Sequence, residues 1–405
     1  MDSPSESHPE PSLVDLDRAA TTPLDPLVRA AMEAAEARFL GNPSSRHGLG
    51  LEARRAIAEA RASIARALDA PLEGVIFTSG ATEANNLAVL GHARAQRREG
   101  RHALIGAAEH PSVAEAGDAL AREGFEVERI PLDTSGLVDL QAFAKLLRPD
   151  TVLVAQMLVN NLLGTIAPVA RMARLVRAQS PAARLHVDAV QALGKIPVSL
   201  EDMGVHSCAI SAHKIHGPRG AGALLLVNGT RIEPLAYGGG QESGLRPGTE
   251  NVAGIIGLAE ALRLTLDHRR NSAAHLGELR EILTSAIDSI PGARVLAAGD
   301  RTQAVASILG AYLPGPPAEV WLHHLDQAGV LSSVGSACQS RSKSIPAAYL
   351  ALGLSNAEAK GVLRLSTSRT TTTAEAQAGA TRLRATAKML ESLGLMAKAS
   401  TETHR

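Results

Sequence analysis

The stretch CAISAHKIHGPRGAGALLLV, residues 208–227, decides the fold class. Its first half reads as a short apolar strand that delivers Ser211, His213 and Lys214 at its carboxyl end, and GALLLV reads as the next strand. Open α/β sheets bind ligands at strand carboxyl ends, so polar side chains gathered there mark a site. The glycines at 217, 220 and 222 allow a tight turn and a close backbone approach. A lysine so placed can form an imine with a carbonyl cofactor. Taken alone, a lysine is a solvated surface charge, and the surroundings must argue otherwise.

Outward from this stretch the same rhythm continues. EARRAIAEARASIARAL (52–68) repeats apolar residues at helical spacing, and VIFTSG (75–80) follows as a short strand. HALIGAA (102–108), FEVERI (125–130), TVLVAQM (151–157) and ARLHVDA (183–189) are further strands, separated by helical segments such as VARMARLVRAQ (169–179). This alternation predicts an α/β fold with a mostly parallel sheet and helices on both faces. Beyond the Gly-rich turn Tyr237–Gly244, a long helical stretch opens near Asn251 and runs, with or without a break, into HLGELREILTSAI. Strands around 304–312 and 363–368, a helix near 318–329 and a final helix from Ala374 predict a smaller α+β domain. The expected division is a disordered tail 1–12, a segment 13–25 packing with the small domain, a large domain 26–264, a small domain 265–398 and a loose end 399–405.

Composition narrows the function. Lys plus Arg and Asp plus Glu both number 41, so the chain carries no general nucleic-acid surface. No apolar run is long enough for a bilayer span. MDSPSESHPEPS has neither the apolar stretch of a secretory signal nor the arginines of a transit peptide, and a cytoplasmic location is expected. Two cysteines, Cys208 and Cys338, make no disulfide framework. His213 with His216, or His323 with His324, lack a second ligand set, so no metal is expected.

Two stretches upstream supply context for Lys214. In LHVDAVQALGK (185–195), Asp188 ends a strand, and a carboxylate there can keep a pyridinium nitrogen protonated; by itself it also suits a helix N-cap. FTSGATEANNLAV (77–89) is a strand, a turn at Gly80 and a helix start, whose free amides and positive dipole end suit a phosphate. Thr82 adds a hydroxyl, or serves simply as a helix cap. Phosphate, pyridinium and imine groups together at strand ends form a specific combination.

On these residues the chain resembles the cysteine desulfurases of the class V aminotransferase group, from about Leu16 to Thr372. The matching stretches are LDRAATTP (16–23), GNPSSRH (41–47), FTSGATEANN (77–86), AEHPSV (108–113), VNN (159–161), HVDAVQALGK (186–195), SAHKIHGP (211–218), GGGQESGLRPGTEN (238–251), SSVGSAC (332–338) and LRLSTSR (363–369). The resemblance implies an aminotransferase-like fold of type I with pyridoxal 5'-phosphate as cofactor. It implies that Lys214 holds the cofactor, His110 stacks on its ring, Asp188 pairs with the ring nitrogen and Gln191 bonds the ring hydroxyl. Ala81, Thr82, Ser211 and His213 would hold the phosphate, with Thr249 reaching in from a partner subunit of a homodimer. Asn161 and Arg364 would grip the carboxylate of the substrate, L-cysteine, Arg364 through its bidentate fork. Cys338 would take the substrate sulfur as a persulfide and pass it to an acceptor protein.

The residues themselves allow plainer roles. His110 before Pro111 can be an ordinary helix-entry residue, and Arg364 can reach past a strand to the surface. Cys208 lies in an apolar strand and reads as a buried small hydrophobe. Cys338 differs: SSVGSACQSRSKSIP is a Ser/Gly-rich loop with Arg341 and Lys343 close by, and nearby cations favour a thiolate. Where the resembling sequences usually carry other residues, this chain has Leu162, Tyr237, Ser243 and Pro247, and Val334 is an extra residue in the Ser-rich run. Alternative activities on the same scaffold are a lyase acting on selenocysteine or cysteine sulfinate, or a non-catalytic protein that recruits sulfur-handling partners.

Overall fold

The structure, a computed structural model, describes residues 13–296, 301–334 and 345–396. The strands in chain order begin with β1 (Val14–Asp15), β2 (Val75–Thr78), β3 (His102–Gly106), β4 (Glu126–Ile130) and β5 (Thr151–Met157). They continue with β6 (Arg184–Asp188), β7 (Ser207–Ser211), β8 (Gly222–Leu226), β9 (Arg294–Val295) and β10 (Ile308–Tyr312). The last are β11 (Val330–Leu331), β12 (Ser333–Val334) and β13 (Val362–Ser366). The helices are α1 (Pro26–Arg38), α2 (Gly48–Ala67), α3 (Ala81–Ala95), α4 (Pro111–Arg122), α5 (Leu140–Leu146) and α6 (Val169–Gln179). Then come α7 (Leu200–Met203), α8 (Val252–Asp288), α9 (Ala318–Gln327), α10 (Ala347–Ala351), α11 (Asn356–Lys360) and α12 (Thr373–Ser392).

Seven strands pair in the order β2-β8-β7-β6-β5-β3-β4. All neighbours from β7 to β4 are parallel, and only β8 is reversed between β2 and β7. Strands β5, β7 and β8 are buried at every position, which is why their sequences are continuous apolar runs rather than alternating ones. Successive side chains enter different cores. Leu104, Val154, Val187 and Ile210 meet Ile57, Ile64, Met172 and Leu258 from α2, α6 and α8. Ala103, Ile105 and Leu153 meet Val89, Val113 and Leu120 from α3 and α4. The expected α/β architecture, helices on both faces of a mostly parallel sheet, is what the chain adopts.

A second, antiparallel sheet has the order β12-β13-β10-β9 and its own core of Leu309, Trp321, Leu363, Leu365, Leu383 and Leu390. Helix α8 serves both cores: Leu258 and Leu262 face the first, Leu283 and Ile287 the second. It runs 37 residues without interruption, so the chain position 264/265 lies inside one helix. The N-terminal segment links the two sheets as well. β1 pairs in parallel with β11, Ala19 N donates to Ser366 Oγ at 2.9 Å, and Thr22 N donates to the carbonyl of His213 at 2.9 Å.

Candidate active site

Strand ends and loops enclose a cavity of about 650 Å³ on the carboxyl-end side of β5, β6 and β7. Ala81, Thr82, His110, Asn161, Asp188, Gln191, Ser211, His213, Lys214 and Arg364 all line it. Two sequence candidates do not. Thr249 lies in a separate cleft of about 360 Å³ beside Phe39 and Asn42, and Cys338 lies outside the described residues.

The phosphate-suited end is built around two glycines. Gly80 caps α3 at φ 151°, a conformation that L side chains rarely adopt. Gly222 lies against it, and a Cβ at 222 would meet the Gly80 Cα at 2.7 Å. Gly80, not Thr82, is thus the cap residue, and Thr82 sits inside the first turn. The first intrahelical bond runs from Ala84 N to Gly80 O at 3.1 Å, so amides 81–83 precede the bonded ladder and face the dipole's positive end.

Asp188 ends β6, buried at 6% exposure. Its Oδ2 accepts from Asn85 Nδ2 at 2.8 Å and its Oδ1 from Val190 N at 3.0 Å. Lys214, on the 3-10 turn after β7, donates from Nζ to the carbonyls of Ala19 and Ala20 at 2.8 and 2.7 Å. Gln191 Nε2 donates to the same Ala19 carbonyl at 2.9 Å. His110 is the N-cap of α4, where its Nδ1 accepts from Ser112 N at 3.1 Å, and its ring also faces the cavity. The helix-entry role and the cavity position therefore coexist. Burial lowers the pKa of His110, Lys214 lowers it further and Asp188 acts against both, which leaves the ring neutral at neutral pH. His213 is held at about 4, chiefly by burial and then by Lys214 and Arg219.

At the opposite side Arg364 leaves β13, with 6% exposure. Its Nη2 reaches Asp17 Oδ1 at 2.6 Å and its Nη1 donates to the Asn161 carbonyl at 3.1 Å, while buried Nε has no partner. The unusual Leu162 beside Asn161 packs with Leu163, Leu296 and Tyr349. Val334 is accommodated in β12 opposite Leu363 and lines the cavity. Tyr237 is 87% exposed, and Ser243 holds a left-handed φ of 57°. Cys208 is fully buried, and burial pushes its thiol pKa far up, which makes it inert packing.

Several residues of the quoted stretches carry site geometry that no sequence argument assigned. Asp17 pairs with Arg364, and Asn85 holds Asp188. Glu109 is a buried carboxyl whose Oε1 accepts from Met157 N at 2.6 Å, and burial raises its pKa well above the usual range. Lys195 is half-buried without an acidic partner in its hydrogen bonds; its Nζ donates to Gln191 O and Oε1 at 2.9 and 2.8 Å. The only advance signal was their place inside charged or polar positions of otherwise apolar motifs.

The donor set fits pyridoxal phosphate. Helix-start amides suit its phosphate, the Asp188 carboxylate its ring nitrogen and Lys214 its carbonyl carbon, while Arg364 Nε, without a hydrogen-bond partner among the described residues, leaves a cationic donor at the wall. Fold and site thus define a pyridoxal-phosphate enzyme of fold type I. Comparison with known proteins agrees: residues 14–378 match the aminotransferase class-V family, to which this chain belongs. A cysteine desulfurase IscS from Dictyoglomus turgidum is 42% identical over 81% of this chain and 83% of that relative. The cysteine desulfurase NifS of Azotobacter vinelandii is 38% identical over 89% of each chain. Among solved structures, a NifS-like protein superposes with a TM-score of 0.86 at 33% identity, covering 94% of this chain and 99% of its own. DndA from Streptomyces lividans gives 0.73 at 35% identity, covering 86% and 97%.

Lys195 makes a pH prediction. Burial lowers its pKa from 10.5 to about 7, with Lys214 and Arg364 adding to the effect. Between those values the unfolded chain binds the proton and the folded one does not, so stability rises with pH across that window. Lys195→Met should therefore be most advantageous near pH 6, where the penalty is full and on the order of a few kcal/mol, and lose that advantage by about pH 10. Thermal midpoints of both proteins across this range would show the narrowing gap; a gap independent of pH would contradict it.

Proposed function

We propose that this chain is a pyridoxal-phosphate-dependent cysteine desulfurase, converting L-cysteine to L-alanine and carrying the sulfur on Cys338. The observation that carries the reading is the convergence of Lys214, Asp188, Gln191, His110, helix-start residues 81–82, Asn161 and Arg364 on one cavity. Relatives named as cysteine desulfurases over most of the chain support it.

When bound, pyridoxal phosphate supplies a covalent anchor for the substrate amine and an electron sink for the carbon beside it. Lys214 would be the amine that anchors the group and, when free of it, the base for the substrate Cα proton. Asp188 would pair with the ring nitrogen, and Gln191 would bond the ring hydroxyl. Residues 81, 82, 211 and 213 hold the phosphate. Arg364 and Asn161 bind the substrate carboxylate, Arg364 by turning its guanidinium from Asp17 toward the ligand. The Cys338 thiolate attacks the substrate sulfur: a new S–S bond forms, the Cβ–S bond breaks, and its electron pair stays with carbon. A proton on that carbon and return of a proton to Cα by Lys214 complete alanine, and neutral His110 is suited to pass the former. Sulfur leaves cysteine and arrives on Cys338, so no outside oxidant is consumed.

We further read the protein as a cytoplasmic homodimer in which Thr249, displaced from its own cavity, completes the phosphate site of the partner. The division into a large domain 26–264 and a small domain 265–398 belongs to this reading, with the shared α8 making the two move together. The persulfide would be delivered to a sulfur-acceptor protein of iron–sulfur assembly or tRNA thiolation. No helix among the described residues is long and apolar enough to cross a membrane.

Purified protein loaded with pyridoxal phosphate should be yellow, and borohydride reduction followed by peptide mapping should place the pyridoxyl group on Lys214. Recovery of the label on another lysine would overturn the assignment. Light scattering should give twice the mass of the 42.1 kDa chain, and a fully active monomer would contradict the shared site. Cys338→Ser should still bind the cofactor and show a spectral change with cysteine, yet release alanine at least about a hundredfold more slowly, since a hydroxyl is a far poorer nucleophile than a thiolate. Alanine release at the wild-type rate would point instead to a lyase that does not use its own thiol.

A further inference from the structure

A chain of buried polar side chains runs inward from Asn85, which lines the cavity beside Asp188. Asn85, His92, His186 and Ser207 are all 0% exposed. Asn85 Nδ2 reaches Asp188 Oδ2 at 2.8 Å and Ser112 Oγ at 2.9 Å, and Asn85 Oδ1 lies 2.9 Å from His186 Nε2. His186 Nδ1 contacts Ser207 Oγ at 2.9 Å, and the same hydroxyl contacts His92 Nε2 at 2.8 Å. The chain ends where His92 Nδ1 lies 3.3 Å from the Arg231 carbonyl.

Counting donors fixes the protons. A carboxylate oxygen only accepts, so the Asn85 amide must turn its NH2 toward Asp188 and its oxygen toward His186. His186 Nε2 must then carry a hydrogen, and burial keeps the ring neutral, with a pKa near 3. Its Nδ1 is therefore an acceptor for the Ser207 hydroxyl, and Ser207 in turn accepts from His92 Nε2. This leaves two acceptors facing each other at the Arg231 end, at the longest separation in the chain. Reversing every ring would satisfy Arg231 but set the Asn85 oxygen against the Asp188 carboxylate at 2.8 Å, a far costlier contact. On the other branch, Ser112 Oγ accepts from Asn85 and lies 2.8 Å from His110 Nδ1, which already accepts from Ser112 N at 3.1 Å. His110 then carries its proton on Nε2.

We propose that His186 and Asn85 are positioning residues: the Nε2–H of His186 locks the Asn85 amide, which orients Asp188 toward the cofactor ring. This rests on the pyridoxal-phosphate reading of the cavity. His186 lies behind Asn85, which lines the cavity beside Asp188, and in that role both act through Asp188.

The test compares His186→Phe, which removes the donor but fills the space, with His186→Gln, whose amide can again donate to Asn85. Absorbance titration of each apo-protein with pyridoxal phosphate should give roughly tenfold weaker binding for the Phe variant, and the Gln variant should return to within about threefold of wild type. Folded Phe variant binding as tightly as wild type, or Gln failing to rescue, would overturn the proposal. Independently, 15N spectra of histidine-labelled wild-type protein should show His186 protonated on Nε2 and bare on Nδ1, with assignment by the Gln variant. The reverse tautomer would also overturn it, and this readout decides the matter if the Phe variant does not fold. Wild-type protein that takes up no pyridoxal phosphate would defeat the functional reading, while the nitrogen shifts would still judge the network.

Discussion

Parallel pairing of β5, β6 and β7 is the constraint on which the site depends. Its register sets Met157 beside Asp188 and Asp188 beside Ala209, so the chain leaves all three strands at one edge. A parallel sheet cannot return by a hairpin, and each crossover passes through a helix before the next strand starts at the far edge. Asp188 and the turn from Ser211 to Lys214 therefore emerge side by side although 26 residues separate Asp188 from Lys214. The reversed β8 completes the arrangement. It brings Gly222 opposite Ser211, and the missing side chain at 222 lets the Gly80 turn close over the sheet edge.

The N-terminal segment converts this edge into an enclosed site. Ser366 of β13 accepts from Ala19 N, and Ala19 O accepts from both Gln191 and Lys214. Asp17, two residues earlier, pairs with Arg364 of the same strand. One short extended stretch thus joins the small sheet to the cofactor-facing side chains of the large one. An ion pair this buried contributes little net stability, because desolvation offsets most of its attraction. Its consequence is geometric: Arg364 is held at the cavity wall, Nη2 on Asp17 and Nη1 on the Asn161 carbonyl.

The elements with strong local signals were legible in the sequence. Most strands of the main sheet were apolar runs, the edge strand β4 (EVERI) being the clear exception, and Gly80 and the glycines around Lys214 marked turns that only their backbones allow. Resemblance added Gln191, Asn161 and Arg364, which no periodicity singles out. Other features were hidden for physical reasons. β1 and β11 are two residues each and exist through their mutual pairing, so neither has a period to read. The continuity of α8 escaped because DHRRNSAAH is polar enough to pass for a break, and two separate cores support the helix on either side. Asn85 and His186 looked like an ordinary helix residue and a strand residue, since hydrogen bonding across more than a hundred positions leaves no local pattern.

The polar interior around the cavity also obeys one electrostatic rule. A buried charge without a partner is costly, and groups that can shed it do so. His92 and His186 are held near 3, His213 near 4, and the Glu109 carboxyl is pushed well above its usual range, each chiefly by burial. These residues still supply donors and acceptors, so they can orient their neighbours without adding a field of their own. Arginine cannot shed its charge, and Arg364 accordingly keeps Asp17 within 2.6 Å. Charge is thereby confined to a few positions that face the cavity, while the neutral network behind them fixes their direction. A site that must bind a doubly charged phosphate and a zwitterionic amino acid needs this separation. Stray charge in the second layer would compete with the ligand for the same few counter-charges, in a medium that screens poorly.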